Sequence, residues 1–153
     1  MIERLIPRQA DNAYQGHRLA LWILALIILM KLGIGLNSVF NGHYVASFAD
    51  GIPIDTYTPA GTQTVLALFA VLGLFQLMLG LLGMLVLGRY RALVPLMFSL
   101  LLLDQLGRKL ILLFIPIERT GAPSGSVVYF ALLAAVIVGL ALSLRRPARD
   151  SRI

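Results

Sequence analysis

Asp104, Gln105, Arg108 and Lys109 interrupt the run SLLLLDQLGRKLILLFIPI, residues 99 to 117, and Lys31 stands inside a second stretch that is otherwise apolar. A carboxylate among cations in hydrocarbon has three uses: neutralising a neighbour across a helix interface, helping to hold a polar or anionic ligand, or passing a proton. A proton relay needs a chain of titrating carboxylates or histidines, and Asp104 is the one acid inside an apolar segment, so transport ranks third. The other chemistries find no footing. His17 and His43 are far apart along the chain, no HExxH or paired-histidine spacing occurs, and metal binding is not expected. No serine sits in a nucleophile elbow and no glycine-rich phosphate loop is present. With no cysteine, thiol redox chemistry, covalent haem attachment and thiolate metal sites are excluded.

The composition sets the medium in which these residues must work. The chain has 153 residues, 59% hydrophobic and only 13% charged, and a mean hydropathy of +0.88. Soluble domains carry about 25% charged residues, so this is a membrane protein. Its length suits one membrane domain, residues 1-153, with several helices of about 20 residues. The net charge of +6 could suggest a nucleic-acid partner, but 11 of the 13 basic residues are arginines that flank apolar segments. That placement is the mark of membrane topology, and no nucleic-acid role is expected.

Four apolar segments are expected to span as helices: about 19-40, 64-87, 92-115 and 126-144. Pro53 and Pro59 precede the second, Pro116 ends the third, and Gly121, Pro123 and Gly125 precede the fourth. Thr58 followed by Pro59 reads as a cap and first helical position, which would start the second helix ahead of its apolar run. Lys31 and the length of the first segment argue for a retained helix and not a cleaved signal peptide, so the mature chain is expected to be the whole chain. Outside the segments Arg4, Arg8, Arg18, Arg89, Arg91, Arg145, Arg146, Arg149 and Arg152 fall on one side, and Arg119 alone on the other. The bias predicts an all-α, four-transmembrane-helix bundle with both termini cytoplasmic, in the bacterial inner membrane. Tyr44, Tyr57, Tyr90 and Tyr129 lie near segment ends as interfacial anchors, and Gly33, Gly35, Gly73, Gly80 and Gly83 mark close helix packing.

The third segment is the marginal one. Asp, Arg and Lys oppose insertion by roughly 3 kcal/mol each, up to ~9 in all, against roughly 6 contributed by its apolar residues. If it did not cross, the arginine-rich tail would end outside. At 100° per residue Asp104, Arg108, Gln105 and Lys109 lie at about 0°, 40°, 100° and 140°, one sector that neighbouring helices can cover. The alternative is a broken, re-entrant segment near Gly107. Counted from the outer ends at ~1.5 Å per residue, Lys31 lies about 13 Å deep, Asp104 about 16 Å, and Arg108 and Lys109 about 10 Å. Asp104 is then a partner for Lys31 and for Arg108, with Asn37 and Gln76 able to join. The group keeps an excess positive charge unless Glu118, Asp50 or Asp55 folds in. Two uses stay open: a structural pair with Arg108 and Lys109 reaching outward, or a positive pocket for a lipid headgroup, a carboxylate or a quinone-like ring.

Lys31, Gly33 and the sequence LNSVFNG closing the first helix, followed by an outward stretch ASFADGIPI from Ala46 to Ile54, resemble the small four-helix DoxX-type membrane proteins over about Leu19 to Leu144. The resemblance implies a membrane subunit or accessory protein, in some cases linked to quinone-coupled sulfur oxidation, and carries over no catalytic residue. The expected role is therefore an accessory or assembly subunit, with membrane lipids and other membrane subunits or itself as partners, and with a lipid or quinone as the ligand if the pocket is used. The competing class is a membrane oxidoreductase or transferase acting on a lipid-soluble substrate.

Overall fold

The computed structural model describes residues 11–12, 14, 16–120 and 125–145. Arg4, Arg8, Gly121, Pro123, Arg146, Arg149 and Arg152 lie outside the described residues. Among the described residues all regular structure is helical. Four long helices carry the fold: α1 (Arg18–Phe40), α2 (Pro59–Arg89), α3 (Val94–Phe114) and α4 (Gly125–Leu144). Three of them, α1, α2 and α4, are long and apolar enough to cross a membrane. α3 has 21 residues, enough in length, and carries the three charges that set it apart.

Local sequence explains where these helices start and stop. His17 caps α1, its Nδ1 accepting from the Leu19 N–H at 3.1 Å. Thr58 Oγ1 accepts from the Gly61 N–H at 3.2 Å and Pro59 opens α2, so that helix begins five residues before the expected 64. The 31 residues of α2 reach about 46 Å, longer than the ~30 Å of hydrocarbon. A single 3-10 turn, Arg91–Leu93, makes the α2–α3 corner. α3 runs unbroken through Gly107, so the break expected there as the alternative is not present.

The helices form an antiparallel bundle in which α1 packs closely on α2 and also on α4, while α3 packs mainly on α4. The contacts of α3 with α1 and α2 are sparse. At one end the His17 N–H donates to the Leu142 carbonyl at 3.2 Å and the Ala92 N–H to the Asp11 carbonyl at 3.2 Å. Arg18, Arg89, Arg91 and Arg145 therefore share that end. At the other, the Thr120 N–H donates to the Gly51 carbonyl at 2.8 Å and ties the two remaining connections together. Gly51 has φ 68°, the left-handed turn that sends the chain back toward α2.

The surface is apolar where that of a water-soluble protein would be polar. Trp22 is 76% exposed and Phe114 79%, whereas Lys31 is 1% exposed and Gln105 is fully covered. A surface of tryptophan, phenylalanine and leucine over an interior that buries a lysine and a glutamine is stable only if the surroundings are as apolar as the side chains that meet them. The interior itself has two storeys. Toward the arginine-rich end Leu24, Ile28, Val86, Phe98 and Val136 make an apolar core, with the Phe98 ring in the space left by Gly139. Toward the opposite end the interior becomes small and polar, through Gly35, Ser38, Gly73, Gln76, Lys31 and Gln105, beneath a small apolar cluster of Ala46, Ile52 and Ile54 in the connection to α2.

Candidate functional site: a polar junction of three helices

Lys31 projects from α1 into the space where α2 and α3 have little direct contact, and its Nζ reaches both of them. It donates to Gln76 Oε1 on α2 at 2.6 Å and to Asp104 Oδ2 on α3 at 2.6 Å. The Asp104 side chain keeps 23% of its exposure, so the carboxylate lies at the edge of the seam between α2 and α3. The same Oδ2 accepts from Arg108 Nη2 at 3.2 Å, one turn farther along α3. Arg108 Nε also points to the Asp104 main-chain carbonyl at 3.4 Å. A long, unbranched ammonium side chain suits this place: it bridges a gap that two packed backbones leave, and its charge is cancelled at once.

The polar sector of α3 divides into two faces. Asp104 and Arg108, four residues apart, turn toward α1 and α2. Lys109, four residues after Gln105, meets α4, where its ammonium lies 5.9 Å from the centre of the Tyr129 ring. Tyr129 in turn donates its hydroxyl to the Gln105 main-chain carbonyl at 3.3 Å. Lys109 is exposed. Gln105 continues the buried row Val94, Met97, Phe98 and Leu101, and neither atom of its side-chain amide is hydrogen-bonded. A buried amide in that condition costs about 1–3 kcal/mol.

Of the residues that the sequence proposed for one level, Lys31, Asp104, Gln76 and Arg108 form a connected set, and Gln105 and Lys109 adjoin it through α4. Asn37 does not join them. Its Oδ1 accepts from Asn41 Nδ2 at 2.9 Å near the end of α1, beside an open groove lined by Gly33, Ile34, Leu36 and Phe40. His17 serves as a helix cap, and His43 Nε2 lies 3.4 Å from Asp55 Oδ1 in the exposed α1–α2 connection. Among the described residues no group of three or more His, Cys, Asp or Glu side chains is arranged to hold a metal ion.

Of the three loop acids between which the sequence left a choice, Glu118, Asp50 and Asp55, Asp50 is the least exposed. It follows the π-helical turn Val45–Ala49, and its Oδ1 lies 3.5 Å from where a Cβ on Gly125 would stand, over the start of α4. Burial pushes the Asp50 carboxyl above the usual aspartate range, while Arg119 and then Arg108 pull it back down. Ion pairs link Lys31, Asp104 and Arg108, and Asp50 stands apart from them under the longer-range attraction of Arg119 and Arg108. The raised value fixes the sign of the pH effect. Below about pH 4, the ordinary aspartate value, Asp50 is neutral whether folded or unfolded and favours folding most; ionisation above that point opposes folding. Asp50→Asn is accordingly expected to unfold at a higher temperature than the parent at pH 7, with the difference vanishing near pH 4, as measured by thermal denaturation in detergent across that range. A variant less stable than the parent at pH 7 would mean that the two arginines outweigh burial.

Comparison with known protein families, with curated proteins and with solved structures returned no match.

Proposed function

We propose that this chain is a four-span membrane protein of the bacterial inner membrane, with both termini cytoplasmic. Its role is that of a small accessory or assembly subunit that holds a lipid or quinone-like molecule in the outer half of the bilayer. The observation that carries the proposal is how the charges are used. Lys31 is consumed by Asp104 and Gln76, while Arg108 stays 42% exposed at its side chain and Lys109 is exposed on α4. Lys31 and Asp104 cancel, and the two cations that remain face outward. Such an arrangement can retain an anionic or strongly polar head, and it sets no nucleophile beside a free base, as covalent or general-base catalysis would require. The arginine-rich end, where Arg18, Arg89, Arg91 and Arg145 gather, supports the cytoplasmic assignment by the positive-inside rule. The resemblance of Lys31 to Gly42 and of Ala46 to Ile54 to DoxX-type proteins agrees with an accessory role.

The test is extraction of the purified protein followed by mass spectrometry of what it retains. The wild type is expected to carry a lipid-soluble molecule in fixed ratio to protein, and an Arg108→Gln/Lys109→Gln variant is expected to lose most of it. A wild type that retains nothing above the level of the detergent blank would overturn the proposal. Recovery of a chemically converted substrate in place of an unchanged ligand would favour the oxidoreductase or transferase alternative.

A further inference from the structure

One oxygen of Asp104 serves two cations. Its Oδ2 accepts from Lys31 Nζ at 2.6 Å and from Arg108 Nη2 at 3.2 Å, so the three groups keep one positive charge among them. Lys31 is covered, and the surplus is accessible at Arg108, whose side chain is 42% exposed. Among the described residues no other carboxylate lies within ion-pair distance of Arg108; Asp50 feels Arg119 first and Arg108 at longer range.

The guanidinium is also held deep. Side chains on a helix lean toward its N-terminus, and α3 begins at the arginine-rich end. Arg108 accordingly reaches back along α3 to Asp104 instead of toward the nearer end of the bundle. In the four-span reading its charge therefore sits about 10 Å or more below the outer end of α3. Lipid phosphates stay at the headgroup level, whereas a carboxylate carried by a helix can stand at any depth.

The seam beside it has room for such a helix. α2 and α3 touch sparsely, and Asp104 lies at the edge between them. Leu100 and Ile111 share Asp104's side of α3 by helical spacing and are 37% and 60% exposed, and Leu72, one turn from Gln76 on α2, is 49% exposed. The edge is an apolar seat with one uncancelled cation in it. A second copy fits it poorly. The one acid within its four long helices is Asp104, already shared by two cations, so pairing two copies would bring two surplus positive charges together.

We propose that the α2–α3 seam receives a transmembrane helix of a different membrane protein, and that a carboxylate on that helix pairs with Arg108. This names the partner chemistry of the assembly role proposed above, and it rests on that role and on the crossing of α3. In the isolated chain Arg108 stays open to a polar head; in the assembly the incoming carboxylate takes that place.

The probe is a synthetic leucine–alanine helix of about 22 residues with one Glu about 10 Å from its outer end, set against the same peptide with Gln. Each is incorporated with the full chain into phosphatidylcholine vesicles, and association is read by energy transfer between labelled peptide and protein labelled at Ser47→Cys. The wild type is expected to bind the Glu peptide roughly tenfold more tightly than the Gln peptide. Arg108→Gln, which leaves Lys31 and Asp104 as a neutral pair, is expected to erase that preference. Arg108→Lys should keep most of it, and Lys109→Gln, on the α4 side, should leave it unchanged. Equal binding of the two peptides by the wild type, a preference that survives Arg108→Gln, or one lost in Lys109→Gln would each overturn the proposal. Energy transfer between copies of the wild type that Arg108→Gln abolishes, without a peptide preference, would put a second copy in the seam. Arg108-dependent retention of phosphatidylglycerol over phosphatidylcholine, again without a peptide preference, would put a lipid there. Either outcome overturns this inference, and the lipid outcome leaves the ligand-holding function standing. A wild type that prefers the Glu peptide yet retains no small molecule would uphold this inference and remove the ligand-holding part of the reading above.

Discussion

Asp104→Asn is expected to destabilise the protein by about 3–5 kcal/mol, because it strips a buried lysine of its counter-charge while the lysine stays in place. Lys31 is 1% exposed and, among the described residues, has no second carboxylate within reach: its other partner, Gln76, supplies a neutral carbonyl oxygen. Arg108 loses its partner in the same substitution, although its exposed side chain can turn outward at little cost. Lys31→Met is expected to harm stability less than Asp104→Asn, since Asp104 keeps Arg108. The Lys31→Met/Asp104→Asn double variant should recover much of the loss, with a coupling of roughly 1–3 kcal/mol between the two sites. Equilibrium unfolding in detergent, run on the wild type, both single variants and the double, provides the cycle. Strict additivity would mean that the 2.6 Å contact contributes nothing.

Gly73→Leu is expected to cost about 3 kcal/mol or more and to loosen α2 from α1, because overpacking here meets backbone and cannot be relieved by a rotamer change. A Cβ on Gly73 would stand 2.8 Å from the Gly35 carbonyl oxygen and 2.9 Å from the Ser38 Cβ, and one on Gly35 would stand 2.9 Å from the Gly73 carbonyl oxygen. The approach is reciprocal, so neither helix can yield without separating from the other. Gly33→Leu is the matched control. Nothing lies within 4 Å of its Cβ position, and the change is expected to stay within about 0.5 kcal/mol. Equal effects of the two substitutions, read from detergent unfolding, would mean that α1 and α2 are not held at this contact. The same close approach sets where Lys31 stands, because Gly35 lies one turn beyond it on the buried side of α1.

Height along the bundle was legible in the sequence for Lys31 and Asp104, and direction around the helix was legible in part for α3. Counting residues from segment ends put Lys31 and Asp104 near one level because rise per residue is constant in a helix. It put Asn37 within range too, and the structure turns that side chain to Asn41 instead. Height alone cannot tell the two apart. α1, α2 and α4 are apolar around most of their circumference, and isolated polar residues such as Lys31 and Gln76 stand in place of a continuous polar face. α3 is the exception: its polar residues predicted one inward sector, and the structure turns Gln105 and most of Asp104 inward while Arg108 stays accessible and Lys109 exposed. The division of that sector, with Asp104 and Arg108 toward α1 and α2 and Lys109 toward α4, depends on α3 packing mainly against α4, which is a tertiary fact. Asp50 was one of three loop acids with equal claims, and its place over Gly125 follows from the turn at Gly51 and the Thr120 clasp.

The pairing of Gly35 with Gly73 had a weaker signal. Small residues at 73, 80 and 83 marked a packing stripe, and Gln76 belongs to the same buried row. That register is what brings Gln76 to Lys31, and it could have been read from the three- and four-residue spacing of the row. What it could not supply is the partner helix.

The central claim is that α3 crosses the bilayer despite its three charges, with the junction of Lys31, Gln76 and Asp104 inside. The chain has no cysteine, so single cysteines can be introduced at Ser47, Gly88 and Glu118 and labelled in intact cells with a membrane-impermeant maleimide. Ser47 and Glu118 sit in the connections at one end of the bundle, and Gly88, exposed with no neighbour within 4 Å of its Cβ position, sits at the other. The expected result is labelling at Ser47→Cys and Glu118→Cys from outside, with Gly88→Cys labelled only after permeabilisation. Glu118→Cys protected alongside Gly88→Cys, while Ser47→Cys is labelled, would contradict the claim: α3 would then begin and end on the same side, and its charges would have no membrane to cross.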